Sequence, residues 1–313
     1  MDQANVQVQK KKRPNRVWKG IKRYKFVYLL GLPGFAIIVL FSYLPMYGIL
    51  AAFQDFSPYQ GISGSPWVGF EHFQRLFTDP DFYQMFGNTL IISLLSLATF
   101  PLPILLALLL NEVRSKGYKK FIQTTIYMPH FLSWTIVASL TFMLLSTQTG
   151  LFNKIAVAMG GEEYAYLFDE NWFYPIILIQ KIWKSVGWNS IVYLAAISGV
   201  DPTLYEAARM DGANKVQQMW NVTLPAIMPT VVVMLILAMG SIVSVDFEQI
   251  LLMTNPSVSQ RSQVFETYIY QVGVQGTEYS YTTAIGLFKS VISTILVLIT
   301  NYITEKQGYD GVI

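Results

Sequence analysis

The chain of 313 residues contains no cysteine. That excludes disulfides, a thiol nucleophile and any Cys-ligated metal site. Histidine is nearly absent as well: His72 and His130 fall in different segments, and neither sits in a metal-binding spacing. Charge is scarce, with Asp, Glu, Lys and Arg at 13% of residues, against roughly 25% in a soluble domain. No G-x-x-x-x-G-K-[ST] run occurs, so the chain cannot cradle nucleotide phosphates by itself. No Ser/His/Asp set and no pair of carboxylates is concentrated in one place, so no enzyme is legible. What is abundant is apolar surface: 53% of residues are hydrophobic and the mean hydropathy is +0.39. These values describe an all-α integral membrane protein rather than a soluble domain.

Six runs reach the roughly twenty apolar residues that cross a hydrocarbon layer. They lie near 26–53, 85–110, 121–146, 172–200, 226–247 and 283–303. The expected organisation is a basic tail over 1–25, a first transmembrane helix over 26–53 and an extracytoplasmic loop over 54–84. A five-helix transmembrane domain over 85–303 and a short tail over 304–313 follow. Pro33 and Pro45 mark expected kinks in the first span, the second contains Pro101 and Pro103, and Pro129 lies near the start of the third. Six spans put both ends on one side. The N-terminal tail, the loop after the second span, the loop over 201–225 and the C-terminus hold sixteen Lys and Arg. The other three loops hold only Arg75, Lys154 and Arg261. The positive-inside rule then places both termini and the loop over 201–225 in the cytoplasm. The basic tail reads as a segment held at an anionic inner leaflet, not as a nucleic-acid binder.

The stretch Asp201 to Pro225, DPTLYEAARMDGANKVQQMWNVTLP, lies between two apolar runs and is far more polar than either. Asp201 is a good N-cap and Pro202 suits the first helical position. Gly212 supplies a left-handed stop. A second short helix is expected from Ala213 to Asn221, closed by Pro225. The first helix is only about two turns long, too short to be stable alone, so another surface is expected to cover it. Small residues at Ala207 and Ala208 would allow close approach.

Glu206-Ala207-Ala208, then Gly212, then Val222-Thr223-Leu224-Pro225 resembles the EAA loop of membrane subunits of binding-protein-dependent ABC importers. The departure from the pattern is Val222 in place of the usual isoleucine. Ile182 to Asn189, Tyr193 to Ile197, Thr267 to Tyr270 and Ala284 to Lys289 are similar to the carbohydrate branch, the polysaccharide-type relatives of maltose and glycerol-phosphate permeases. The resemblance covers about residues 20–305 and implies the type I importer transmembrane fold in the bacterial cytoplasmic membrane. It implies a second homologous permease, a dimer of ABC ATPases and an extracellular sugar-binding protein as partners. ATP and magnesium would sit on the ATPases, with no cofactor in this chain. By the same resemblance Glu206, Ala207, Ala208, Asp211 and Gly212 form the coupling helix, with Leu224 and Pro225 locking its return to the membrane.

Ionisable groups inside spans are costly and usually face a cavity or a partner. Lys181, Lys184 and Trp188 are three and four residues apart and share one helical face. They are the expected lining of a sugar cavity, where an ammonium would suit an acidic oligosaccharide. Asp246 and Lys289 are an expected intramembrane ion pair. The competing functional classes are a channel or exporter working without an ATPase, against which the EAA loop speaks, and a membrane-embedded glycan enzyme, against which the lack of clustered carboxylates speaks.

Overall fold

Long apolar runs that must pair every backbone group internally have helix as their natural form. The computed structural model, which describes residues 23–309 and 311, is correspondingly helical. The basic run up to residue 22 and the last residues of the C-terminal tail lie outside the described residues. Among those described no strand forms, and Gln54 and Trp67 make one isolated antiparallel bridge. In chain order the long elements are α1 (Lys25–Phe53), α2 (Pro80–Glu112), α3 (Lys116–Phe131) and α4 (Trp134–Leu145). They continue with α5 (Glu170–Ser198), α6 (Pro202–Met210), α7 (Lys215–Gly240) and α8 (Tyr279–Lys306). Among the described residues α1, α2, α7 and α8 are long and apolar enough to cross a membrane, and α3 with α4 makes a fifth span if the pair is taken together. Helix α5 is 29 residues, roughly 43 Å at 1.5 Å per residue, but Gln180, Lys181, Lys184 and Asn189 make it more polar.

The third span was expected as one helix over 121–146. It is two helices meeting at 102°. Pro129 has no amide to donate, and the chain tightens into a 3₁₀ turn over Met128–Phe131. Leu132 then turns extended at ψ 139°. Ser133 starts α4 as its N-cap, accepting from the Ile136 amide at 3.4 Å. An apolar run that looks continuous is broken by one proline and one capping serine.

The opposite error occurs after the EAA stretch. Pro225 was expected to close a short helix, yet α7 runs unbroken from Lys215 to Gly240. A π turn over Met219–Thr223 lies just before the proline. It supplies the local adjustment by which a proline is tolerated inside a transmembrane helix.

Helix α5 is the centre of the packing. Near its C-terminal end Tyr193 and Ile197 pack on Ile104, Ala107 and Leu108 of α2, with Ile227 of α7 closing the cluster. Toward its N-terminal end Phe173, Ile176 and Ile177 join Ile250 and Val264. Between these clusters α5 meets α3 at Gly187, where an added Cβ would lie 2.7 Å from the Ile126 carbonyl carbon and closer still to its oxygen. Close approach through a small residue is how helices pack where the hydrophobic effect cannot drive them together. A third cluster joins Leu76, Phe82, Met85, Phe265, Tyr281 and Ile285 around α8. In α1, by contrast, only Ala51 and Ala52 are buried.

Candidate functional site

The EAA helix α6 forms for local reasons. The Asp201 carboxylate accepts from the Thr203 amide at 2.9 Å, and this bond holds its pKa below the usual value. Pro202 occupies the first turn. Gly212 adopts φ +79°, a conformation that costs an L side chain roughly 1–2 kcal/mol. Asn214 and Gln217 then cap α7 reciprocally, at 2.9 and 2.8 Å. None of the nine residues of α6 is buried. Glu206, Ala207 and Asp211 are exposed and Ala208 is half-buried. Leu204, Met210, Val216 and Trp220 stand exposed around them. Two contacts tether the stretch. The Tyr205 hydroxyl meets Thr223 Oγ1 at 3.0 Å, and Lys215 pairs with Glu112, at the end of α2, at 2.8 Å. Leu224 is half-buried and Pro225 exposed within α7.

A cavity of about 360 Å³ opens between α2, α5 and the C-terminal end of α7. Its walls carry hydroxyls from Ser93, Ser96, Thr99, Ser185 and Ser241, together with Asn189 and Lys181. Ser93 is 5% exposed, and its hydroxyl has no hydrogen-bond partner. A polar lining inside an apolar bundle is costly unless it meets water, a partner or a ligand.

Only one of the three residues expected to line a sugar cavity does so here. Lys181 lines it. Lys184 instead reaches the break between α3 and α4, donating to the carbonyl of His130 at 2.9 Å and to that of Leu132. Trp188 stacks flat on His130, with centroids 4.4 Å apart, and meets Phe131 edge-on. The reason is angular. Three residues along a helix turn the side chain by about 60° from exact overlap. That is enough to aim Lys181 at α2 and α7 and Lys184 at the break. Carbonyls freed by the 102° turn need a donor, and the ammonium provides it.

The expected Asp246–Lys289 pair is also absent. Lys289 pairs with Glu266, both side chains being about seven-eighths buried. Asp246 is exposed and makes no side-chain cap to the helix that it precedes. Glu266 reaches Lys289 because the supposed loop over 248–282 folds back as helix Phe265–Tyr268 and a π turn over Ile269–Gln275.

Sequence reasoning missed one further cluster. Asp79 N-caps α2 and also accepts from the hydroxyls of Tyr268 and Tyr281, at 2.9 and 2.8 Å. Burial pushes its pKa up, but these hydroxyls and the Asp81 amide outweigh burial and hold the carboxyl below its ordinary value. Arg75 lies over the Tyr281 ring at 4.1 Å and pairs with Glu278 at 2.5 Å. Only the Asp79-Pro80 step, an N-cap signature, was visible in advance.

A bundle with four or five apolar helices of membrane-crossing length among the described residues, a polar cavity and an exposed helix at one end of its central rod has the architecture of a multi-pass membrane component. The chain belongs to the family described as binding-protein-dependent transport system inner membrane component, which it matches over residues 99–308. It is 48% identical to the polygalacturonan/rhamnogalacturonan transport system permease protein YteP of Bacillus subtilis (strain 168), over 97% of this chain and 95% of that protein. It superposes on a chain of a bacterial alginate ABC transporter in complex with alginate pentasaccharide-bound periplasmic protein. That match has TM-score 0.86 and 41% identity, over 95% of this chain and 100% of the other. A second structure, of a bacterial ABC transporter involved in the import of the acidic polysaccharide alginate, matches with TM-score 0.85 and 42% identity, over 93% and 99% of the chains. The fold is the type I ABC importer transmembrane fold.

Proposed function

We propose that this chain is one of two homologous permease subunits of an ATP-driven importer that carries an acidic oligosaccharide inward across the bacterial cytoplasmic membrane. The observation that carries the reading is the pairing on α5 of a polar cavity with an EAA helix, beyond its C-terminal end, that has no buried residue. A short, exposed amphipathic helix of nine residues needs a cover, and a docking groove on one of the two ATPase subunits is that cover. Glu206, Ala207, Ala208, Asp211 and Gly212 form the docking turn. Leu224 continues it into α7, whose unbroken course past Pro225 carries movement into the membrane. ATP and magnesium belong to the ATPases, and this chain is not an enzyme.

Closure of the ATPase dimer pushes the EAA helices, and the cavity switches between inward-facing and outward-facing states. An extracellular binding protein delivers the sugar at the other end. Both termini and α6 face the cytoplasm, as the distribution of Lys and Arg favours. The acidic substrate class is supported by Lys181 in the cavity and by the galacturonan and alginate named for the similar transporters. Lys184 and Trp188 serve the cavity indirectly, by holding the α3–α4 break in place.

The absence of cysteine makes the test clean. Ala208→Cys becomes the only thiol of this chain, and candidate ATPases carry single cysteines in their docking groove. A cross-link whose yield changes on ATP binding is the expected result. If no ATPase cross-links although both proteins are folded and present in the membrane, the coupling reading is wrong.

A further inference from the structure

Away from the cavity, an open polar pocket of about 460 Å³ lies at the end of α5 remote from the EAA helix. Gln84, Asn88, Glu170, Tyr174 and Arg261 line it. The Arg261 guanidinium sits over the Tyr174 ring, 5.3 Å from its centroid, and one nitrogen donates to Asn171 Oδ1 at 3.1 Å. Arg261 is half-buried and takes part in none of the ion pairs among the described residues. Most of its five donors therefore have no protein acceptor there.

Hydrogen bonds hold Tyr174, Asn88 and Gln84 in the frame around it. The Tyr174 hydroxyl donates to Asn88 Oδ1 at 2.8 Å. Asn88 Nδ2 donates to the carbonyls of Gln260 and Gln263, at 2.7 and 2.9 Å, and Gln84 Nε2 donates to Gln260 at 2.7 Å. These bonds pin the loop that carries Arg261 to α2, while the guanidinium, bonded to Asn171 and within electrostatic reach of Asp169, keeps further donors for the pocket that it lines.

The pocket and the cavity lie along one seam between α2 and α5. A tight cleft separates them, and it shares Tyr174 with the pocket and Ser96 with the cavity. Tyr174 and Lys181 are seven residues apart on α5, roughly 10.5 Å along its axis. The seam thus has one cation at its mouth and one in its cavity, which the partnerless Ser93 hydroxyl of α2 also lines.

We propose that Arg261, braced on Tyr174, is an entry subsite for the carboxylate of an acidic glycan, upstream of the cavity that contains Lys181. The proposal rests on the importer reading above. A planar guanidinium takes a carboxylate through two parallel bonds, which an ammonium cannot reproduce. Glu170 offers acceptors to sugar hydroxyls on the same wall.

The test uses the assembled transporter with its binding protein in proteoliposomes. Two probes are compared, a uronate trisaccharide and the same sugar with its carboxyls reduced to alcohols. Arg261→Gln is expected to slow uptake of the uronate about tenfold, as for a lost hydrogen bond to a charged group, and to leave the reduced sugar unchanged. Arg261→Lys is expected to fall between, with a stronger dependence on salt. Ile91→Cys, at 43% exposure on the pocket wall, gives an independent readout as the only thiol of the chain. The uronate should protect it from a thiol reagent, and Arg261→Gln should remove the protection. Equal uptake by wild type and Arg261→Gln overturns the proposal, and so does an equal loss with both probes. If the wild-type assembly takes up no uronate sugar at all, the importer reading of acidic substrates fails and this proposal falls with it.

Discussion

Gly187→Ala probes the contact that sets α5 against α3. The added Cβ would lie 2.7 Å from the Ile126 carbonyl carbon and 3.3 Å from the Ile126 Cβ. Both Ile126 neighbours belong to the backbone or sit directly on it, so no side chain can rotate away. Restoring the 3.4 Å of ordinary contact to the carbonyl carbon alone demands a shift of at least 0.7 Å between the helices. Overpacking of this kind costs about 1–3 kcal/mol. The displacement falls one residue from Trp188 and three from Lys184, so it also loosens their hold on the break. Gly286→Ala is the matched control. It lies inside α8 with nothing within 4 Å of its added Cβ, where alanine gains about 0.5–1 kcal/mol of helix propensity. Unfolding both variants by SDS titration in mixed micelles should move the midpoint down for Gly187→Ala and level or up for Gly286→Ala. Equal midpoints, or the reverse order, would refute the close-contact reasoning.

The other predictions separate roles that the sequence had merged. Lys184→Met should destabilise the protein by about 3 kcal/mol, because it orphans two carbonyls at the break, whereas Lys181→Met should leave stability unchanged and reduce uptake of an acidic sugar; the same SDS titration and an uptake assay read the two. Breaking the buried pair by Lys289→Met or Glu266→Gln should cost about 3–5 kcal/mol singly, with strong coupling in a double-mutant cycle, while Asp246→Asn should be near neutral. Gly212→Ala should cost about 1 kcal/mol locally and lower the nucleotide-sensitive cross-link at position 208, with overall folding retained. Asp79 titrates below its ordinary 3.8 in the folded protein. Its contribution is therefore complete above about pH 4 and is lost as pH falls through the folded value, and Asp79→Asn should flatten the acid side of the stability profile.

Local chemistry was legible and long-range partnership was not. The EAA helix could be read from Asp201, Pro202 and Gly212 because a cap, a first-turn proline and a left-handed glycine each act within a few residues. The break at 131–133 was hidden, since hydropathy averages over twenty residues and Ser133 is one polar residue among apolar ones. Pro129, near the start of the expected span, is the available signal. Lys289 was matched with the wrong acid because the segment over 248–282 looks polar on average. Its helix and π turn bring Glu266 to α8, and no spacing rule announces such a return. Lys181 and Lys184 lay on one predicted face, yet a difference of about 60° sends them to different neighbours.

One helix brings these separate facts together. The N-terminal end of α5 stands at the Arg261 pocket, its middle lines the cavity through Lys181, Ser185 and Asn189, and its C-terminal end leads through Val200 into α6. It is unbroken over 29 residues and pinned sideways at Gly187, Lys184 and Trp188. Beyond Pro175 a rod held this way has no proline at which to bend and passes a push along its length. In the proposed cycle, displacement at the EAA helix reaches the cavity wall as rotation or translation of α5. The place with room to yield is the 102° turn between α3 and α4, where regular helix is already interrupted. The Lys184 and Trp188 contacts thus tie the moving rod to the bundle's one sharply bent span among the described residues, and their loss should uncouple cavity and EAA helix before it unfolds either.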